Sequence, residues 1–221
     1  MTIPAGPLTV PNIVVDLAEG RDVTAVWLNE LTGTTFSLGG EEFVKVYPDA
    51  HAALLVREEE RMRWAIDYHP VPRVLSSGPG WLRTAALPGR SAVDPYWVAR
   101  PRTATRAIGE GLRQLHDALP VADCPFGTPS WIPADAPPAD LLVVCHGDAC
   151  PPNTLIGNDS VWTGHVDLSD LGVADRWADL AVAASMLEVD FEPGLEAEFL
   201  DAYGIDADEE RMAYYRARWE A

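Results

Sequence analysis

The chain has 221 residues, 48% of them hydrophobic, enough for one large domain or two lobes with a sizeable buried core. A net charge of −18 would repel nucleic-acid phosphates, and no run of about 18 apolar residues exists to span a membrane. The three cysteines, Cys124, Cys145 and Cys150, share no metal-ligand spacing with the five histidines and read as reduced thiols of a cytoplasmic protein. The opening "MTIPAGPLTVPNIVV" has no basic stretch ahead of an apolar one, so no signal peptide is expected.

Strand patterns come first along the chain. "DVTAVWL", "TTFSL" and "EEFVKVY" alternate in the β manner, and Gly39-Gly40 marks a tight hairpin between the last two. A helix is expected over "DAHAALLVREEERMRWAI", with Asp49 as its N-cap and Leu54, Leu55, Glu58, Met62 and Ala65 near one face. "VPRVLSS" and "GWLRTAAL" read as two further strands around Gly78-Pro79-Gly80. From residue 101 the pattern turns helical, with Ile108, Leu112, Leu115 and Leu119 at helical spacing. Six prolines in residues 120–140 predict an irregular connection.

"LLVVC", "NTLIG" and "VWTGHVDL" then predict short strands around the segment "HGDACPPN". "DRWADLAVAASMLEV" is apolar on most sides and predicts a buried helix. "GLEAEFLDAYG" predicts a helix ended by Gly204. The last helix is expected to open with Asp206 and Glu209 as a capping box. The expected fold class is α+β, with a nucleotide-binding sheet lobe over residues 1–88 and a mostly helical catalytic and substrate lobe over residues 89–221.

Charge is unevenly placed. Residues 140–221 hold 18 Asp and Glu against four Arg, a surface that suits either a cationic small-molecule substrate or simple solubility. The chain carries fifteen arginines but one lysine, Lys45, inside the strand "EEFVKVY". A compact ammonium and a wide guanidinium fork serve phosphates differently, so a solitary strand lysine marks a position where the narrow head is useful.

Asp148 and Asn153 stand five apart in "HGDACPPN", and Asp167 closes the next hairpin in "VDLS". The protein-kinase catalytic loop, H-R-D-x-x-x-x-N followed by D-F-G, has this order, with Gly147 here in the Arg position. Lys45 on a strand and Glu58 on the following helix complete the order with a phosphate-facing ion pair. In this reading Asp148 is the base for an incoming hydroxyl, and Asn153 and Asp167 offer the oxygen ligands that Mg²⁺ requires. His146 is expected to bond loop backbone.

"VVCHGDACPPNTLI", "GHVDLSDLGVADRWADLA", "DAYGIDADEERMAYYR" and "LRQLHDALPVADCPF" resemble segments of the aminoglycoside 3′-phosphotransferase family. The resemblance covers most of the chain and is strongest from residue 140 onward. It implies a protein-kinase-like two-lobed fold, ATP (or GTP) with Mg²⁺, and transfer of the γ-phosphate to a hydroxyl of a cationic antibiotic. By resemblance, Lys45 and Glu58 form the phosphate pair, Gly33, Thr34 and Thr35 the phosphate-covering loop, and Thr84 to Ala86 the purine hinge. Asp179 is similar to the family aspartate that braces the catalytic loop.

The departures from the family concern the substrate. Ser169 and Asp170 replace a Gly-Arg pair, and an Arg-Asp pair is missing near Ser185-Met186. Trp219 stands where an acid is expected, and the short segment 127–140 replaces helices that wall the drug site. Asp170 and Glu220 are the carboxylates expected to meet the substrate's amines. The alternatives are a kinase for another small amine or sugar, and a nucleotide-binding pseudokinase. The oligomeric state is not specified by the sequence.

Overall fold

The computed structural model describes residues 4, 6, 8–29 and 31–221. The chain divides into two compact units, Met1–Ile66 with Pro72–Ala86, and Asp67–Val71 with Leu87–Ala221.

In the first unit, α1 (Asn12–Ala18) precedes β1 (Val23–Leu28), β2 (Thr34–Leu38), β3 (Glu42–Val46), α2 (Ala52–Ala65), β4 (Val74–Gly78) and β5 (Trp81–Ala85). The strands form one antiparallel sheet in the order β1-β2-β3-β5-β4. Side chains alternate across a strand, so neighbours Val44 and Lys45 face opposite sides. Val44 joins Phe36 and Leu38 in a core closed by Val14 and Ala18 of α1. Lys45 faces α2 and pairs in register with Thr35 and Leu82.

Helix α1 escaped the sequence reading because its seven residues, NIVVDLA, include β-branched residues and carry no side-chain cap. Asp49 is not the cap of α2. A 3₁₀ turn over Asp49–His51 comes first, and α2 starts after His51 with no side-chain cap bond.

The second unit holds β6 (Arg90–Ser91), α3 (Pro95–Val98), α4 (Pro101–Ala118), β7 (Leu142–Cys145), β8 (Thr154–Ile156), β9 (Trp162–His165) and β10 (Gly172–Asp175). Three helices follow: α5 (Arg176–Asp190), α6 (Glu196–Tyr203) and α7 (Glu209–Trp219). Two small antiparallel sheets, β6-β8-β9 and β7-β10, carry the loops of interest. Strand β10 was not anticipated; its four residues pair with β7 immediately before α5 begins. As expected, α5 is buried on most sides.

The core of this unit packs Ala104, Ile108 and Leu112 of α4 with α5 and with Phe199, Leu200 and Tyr203 of α6. Truncating Ile108 or Leu112 to Ala would cost about 2–5 kcal/mol. Gly109 permits the α4–α6 approach, since a Cβ there would lie 2.7 Å from the Phe199 carbonyl oxygen.

Helix α7 starts later than the capping box predicted. Asp208, not Asp206, is the N-cap and accepts from the Arg211 amide at 3.1 Å, which places Glu209 and Glu210 in the first turn at the positive end of the helix dipole. Gly204 ends α6 in the left-handed conformation, φ 87°, as expected. No helix among the described residues is long and apolar enough to cross a membrane.

Candidate active site

Each unit contributes a constellation built by its own elements. In the first, Lys45 Nζ donates to Glu58 Oε1 at 2.6 Å. Glu58 is 2% exposed, while the Lys45 side chain keeps 18% of its surface. The lysine head is thus held by an acid almost wholly shut away from water. Removing either partner strands a charge in a poorly hydrated place.

The other expected nucleotide residues are placed less simply. Gly33 is buried at the end of the β1–β2 turn, and its amide donates to Asn29 Oδ1 at 2.7 Å. Asn29 Nδ2 in turn donates to the Tyr47 hydroxyl at 2.8 Å. The Gly33 N–H is therefore committed within the turn, while Thr34 and Thr35 belong to β2. Thr84 lies in β5, paired with both Phe43 and Val74. The Ala85 and Ala86 amides donate to the Arg73 and Glu41 carbonyls at 2.9 and 2.8 Å. Those two N–H groups are already used within the unit.

The second unit gathers the loop 146–153 between β7 and β8. Asn153 is 2% exposed, and its Nδ2 donates to the Asp148 carbonyl at 2.9 Å and to Asp148 Oδ2 at 3.1 Å. Pro151 and Pro152 form the 3₁₀ turn that carries Asn153. The β8–β9 pairing sets Thr154 against His165, and the Val166 amide donates to the Asn153 carbonyl at 3.0 Å. Asp167 follows with φ 65°, a strained conformation for a non-glycine residue that is common at functional sites.

Burial, chiefly, and the nearby Asp167 carboxylate push the Asp148 pKa above the usual carboxylate range, against the lowering effect of Cys150, His146 and Asn153. A group that accepts a proton in the reaction is served by that shift.

The loop is braced from beneath. Asp179 on α5 is fully buried and accepts from the His146 amide at 2.5 Å, the Gly147 amide at 3.0 Å and His116 Nε2 at 3.0 Å. Burial raises its pKa, but the hydrogen bond from His116, chiefly, and the Gly147 amide outweigh that, and the net shift is downward. His116 Nδ1 meets the Tyr203 hydroxyl at 2.8 Å. His116, Cys145 and Asp179 lie close enough to suggest a metal cage. The carboxylate oxygens, however, already accept the loop amides and His116.

His146 bonds loop backbone, as expected. Its Nδ1 accepts from the Asp148 amide at 3.2 Å, so its Nε2 carries the proton and donates to the Val166 carbonyl at 3.0 Å. One imidazole thereby ties the segment bearing Asp148 to the segment bearing Asp167. Gly147 adopts φ 84°, and a Cβ there would collide with the Asp170 carbonyl oxygen. No side chain fits this position, which explains Gly in the place of the kinase Arg.

Asp170 is engaged by Ser130, whose amide and hydroxyl donate to it at 3.3 and 2.9 Å. Glu220 is exposed just past the end of α7.

The sequence reading missed His116, His69 with His165, and Trp131. His116 continues the apolar stripe of α4, and a histidine on that face was the available signal. His69 Nε2 lies 2.9 Å from His165 Nδ1, and its ring stacks on Trp162 at 5.3 Å and 4°. Trp131 is the one aromatic among residues 127–140.

An antiparallel sheet with a lysine–glutamate pair, and a mostly helical unit with an Asp–Asn loop followed by a strained Asp, define a kinase-like phosphotransferase. The model of the Phosphotransferase enzyme family matches residues 128–215. An aminoglycoside 3′-phosphotransferase of Streptomyces fradiae is 35% identical over 76% of this chain and 80% of that protein. A streptomycin 3″-kinase of Streptomyces griseus is 32% identical over 89% of this chain and 90% of its own length. Among solved structures, aminoglycoside phosphotransferase APH(3″)-Id of Streptomyces rimosus, in complex with ADP and streptomycin, superposes with a TM-score of 0.70 at 26% identity. That match covers 95% of this chain and 98% of the other. The chain belongs to the aminoglycoside phosphotransferase family.

Proposed function

We propose that this protein transfers the γ-phosphate of a nucleoside triphosphate to a hydroxyl of an aminoglycoside. The observation that carries this reading is the Asp148–Asn153–Asp167 constellation, held on a loop whose backbone is tied by Asp179 and His146. The first unit, with Lys45 aimed by Glu58, is assigned to nucleotide phosphates. The second, with Asp148, is assigned to the acceptor. ATP is the assigned nucleotide, by likeness to a relative solved with ADP, and GTP is the alternative.

In this mechanism Asp148 orients the acceptor hydroxyl and takes its proton late in the transfer. Its raised pKa makes proton acceptance easier than for a solvated aspartate. Most of the rate comes from positioning and charge neutralisation.

The residues fit a hard divalent cation. Asn153 spends its Nδ2 on Asp148, which leaves Oδ1 as the ligand-capable atom. Asp167 supplies a carboxylate whose charge bears on a second carboxylate. Mg²⁺, when bound, would screen the phosphate charge, with Asn153 and Asp167 as its protein ligands.

A net charge of −18 suits a polycationic acceptor. The three unbridged cysteines suit a reducing compartment, so the cytoplasm is the proposed location. One observation favours a second reading, a kinase for a smaller amine or sugar: the Asp170 carboxylate is spent on Ser130 and not left for substrate amines.

The test is transfer from γ-labelled ATP and GTP to an aminoglycoside panel with Mg²⁺, using Asp148→Ala as control. Transfer that disappears in Asp148→Ala supports the kinase and its base together. Nucleotide binding without transfer to any aminoglycoside would remove the antibiotic claim and favour the second reading.

A further inference from the structure

Several backbone polar groups beside the base have identifiable partners. The His146 and Gly147 amides go to Asp179, the Asp148 amide goes to His146, and the Asp148 carbonyl accepts from Asn153. Another is the Gly147 carbonyl, which belongs to the same peptide plane as the Asp148 amide. It accepts from Trp131 Nε1 at 2.7 Å. Trp131 belongs neither to the loop nor to the helix that braces it.

The segment around Trp131 is fastened to both loops of the site. The Val173 amide donates to the Gly127 carbonyl at 3.2 Å, and a Cβ on Gly172 would clash with that same carbonyl. Ser130 grips Asp170, three residues beyond Asp167. Ile132 is buried in the core of the unit. The Trp131 ring is half-buried and meets Tyr215 and Trp219 of α7 edge to face, with centroids 6.3 and 5.2 Å away. Residues 127–132 therefore act as a strap. One end holds the segment after Asp167, and its tryptophan holds the peptide before Asp148.

We propose that Trp131 is a positioning residue for phosphoryl transfer: its indole N–H fixes the Gly147–Asp148 peptide plane and thereby the direction of the Asp148 carboxylate. The proposal rests on the assignment of Asp148 as base. Gly147 lacks a Cβ and sits at positive φ, so its own stiffness cannot supply the constraint. Trp131 acts through Asp148 and need not touch the acceptor. Its loss should therefore appear in turnover and not in binding.

The variant Trp131→Phe removes the N–H and keeps an aromatic ring against Tyr215 and Trp219. A fall in kcat of about tenfold is expected, the worth of one hydrogen bond realised in the transition state, with the KM values for nucleotide and acceptor within about twofold. Hydrogen exchange at the Gly147, Asp148 and Ala149 amides should quicken by about tenfold or more, since the plane loses its outer tie. Loss confined to acceptor KM, or unchanged exchange at these amides, overturns the proposal.

If the wild-type protein transfers phosphate to no aminoglycoside, the functional reading fails while the exchange comparison still decides the strap. If Trp131→Phe does not fold, the exposed Ser130→Ala loosens the strap from its other end. Faster exchange at the same amides is then expected, and unchanged exchange rejects the role.

Discussion

Glu58 in the first unit and Asp179 in the second are both carboxylates shut away from water, at 2% and 0% exposure, yet they are used differently. Glu58 pairs with a charged head, Lys45, whose side chain keeps 18% of its surface. Asp179 gathers two backbone amides and a histidine, none of which has an alternative partner in water. One buried acid aims a side chain and the other shapes a main chain. A side chain that loses its guide can still reorient toward solvent, whereas a buried amide that loses its acceptor is stranded.

This contrast is best broken by removing each acid in turn. Asp179→Ala should be the most damaging change, costing about 3–5 kcal/mol in urea unfolding, because two amides and His116 lose their acceptor together. A loss below about 1 kcal/mol would mean that the loop holds its own shape.

Acid should strike the second unit next. His69 is 3% exposed, and burial, followed by the neighbouring imidazoles of His146 and His116, lowers its pKa to about 4. The unfolded chain takes up this proton near 6.5, the ordinary histidine value, while the folded chain refuses it down to about 4. Stability is thus fully present above pH 6.5 and declines as pH falls toward 4, by up to about 3 kcal/mol from this group. Calorimetry across that window checks the slope, and His69→Gln should flatten it. Hydrogen exchange resolved by unit should show the acid opening beginning around residues 67–71 and β9.

Glu58→Gln should cost less, about 2 kcal/mol, because Lys45 retains partial exposure. Its larger effect should be a rise in nucleotide KM with acceptor KM unchanged, readable in steady-state kinetics. An equal loss in both KM values would show that Glu58 shapes more than the lysine. The smallest effect expected has the opposite sign. Asp148→Asn removes a carboxylate disfavoured by burial and by Asp167, so stability should rise by about 1 kcal/mol while transfer disappears. Thermal unfolding at neutral pH reads it directly.

What could be read from the sequence follows the same division between side chain and main chain. The five strands of the first sheet were legible because alternation and the Gly39-Gly40 turn are local signals. Asp148 with Asn153, and Lys45 with Glu58, were legible because their chemistry forces a residue type at short or ordered spacing. His116, 63 positions from Asp179, carries no such mark, since a histidine on an apolar face is ambiguous until its partner is known. Strand β10 was hidden because its four residues run directly into the apolar pattern of α5. Asp206 and Asp208 offer the same cap chemistry two residues apart, and only the backbone turn chooses between them. Donor use at Gly33 and Ala86 likewise depends on Asn29 and on the Glu41 carbonyl, which no residue-type pattern announces.

The cysteines give the chain a practical handle. Cys145 and Cys150 are buried, and burial pushes both thiols far above the range in which a thiolate forms at neutral pH. Cys124, half-buried, stands just ahead of the strap that carries Trp131. A maleimide dye should therefore attach at Cys124 and leave the other two untouched. With no engineered cysteine, fluorescence from that dye would follow the strap as nucleotide and acceptor are added.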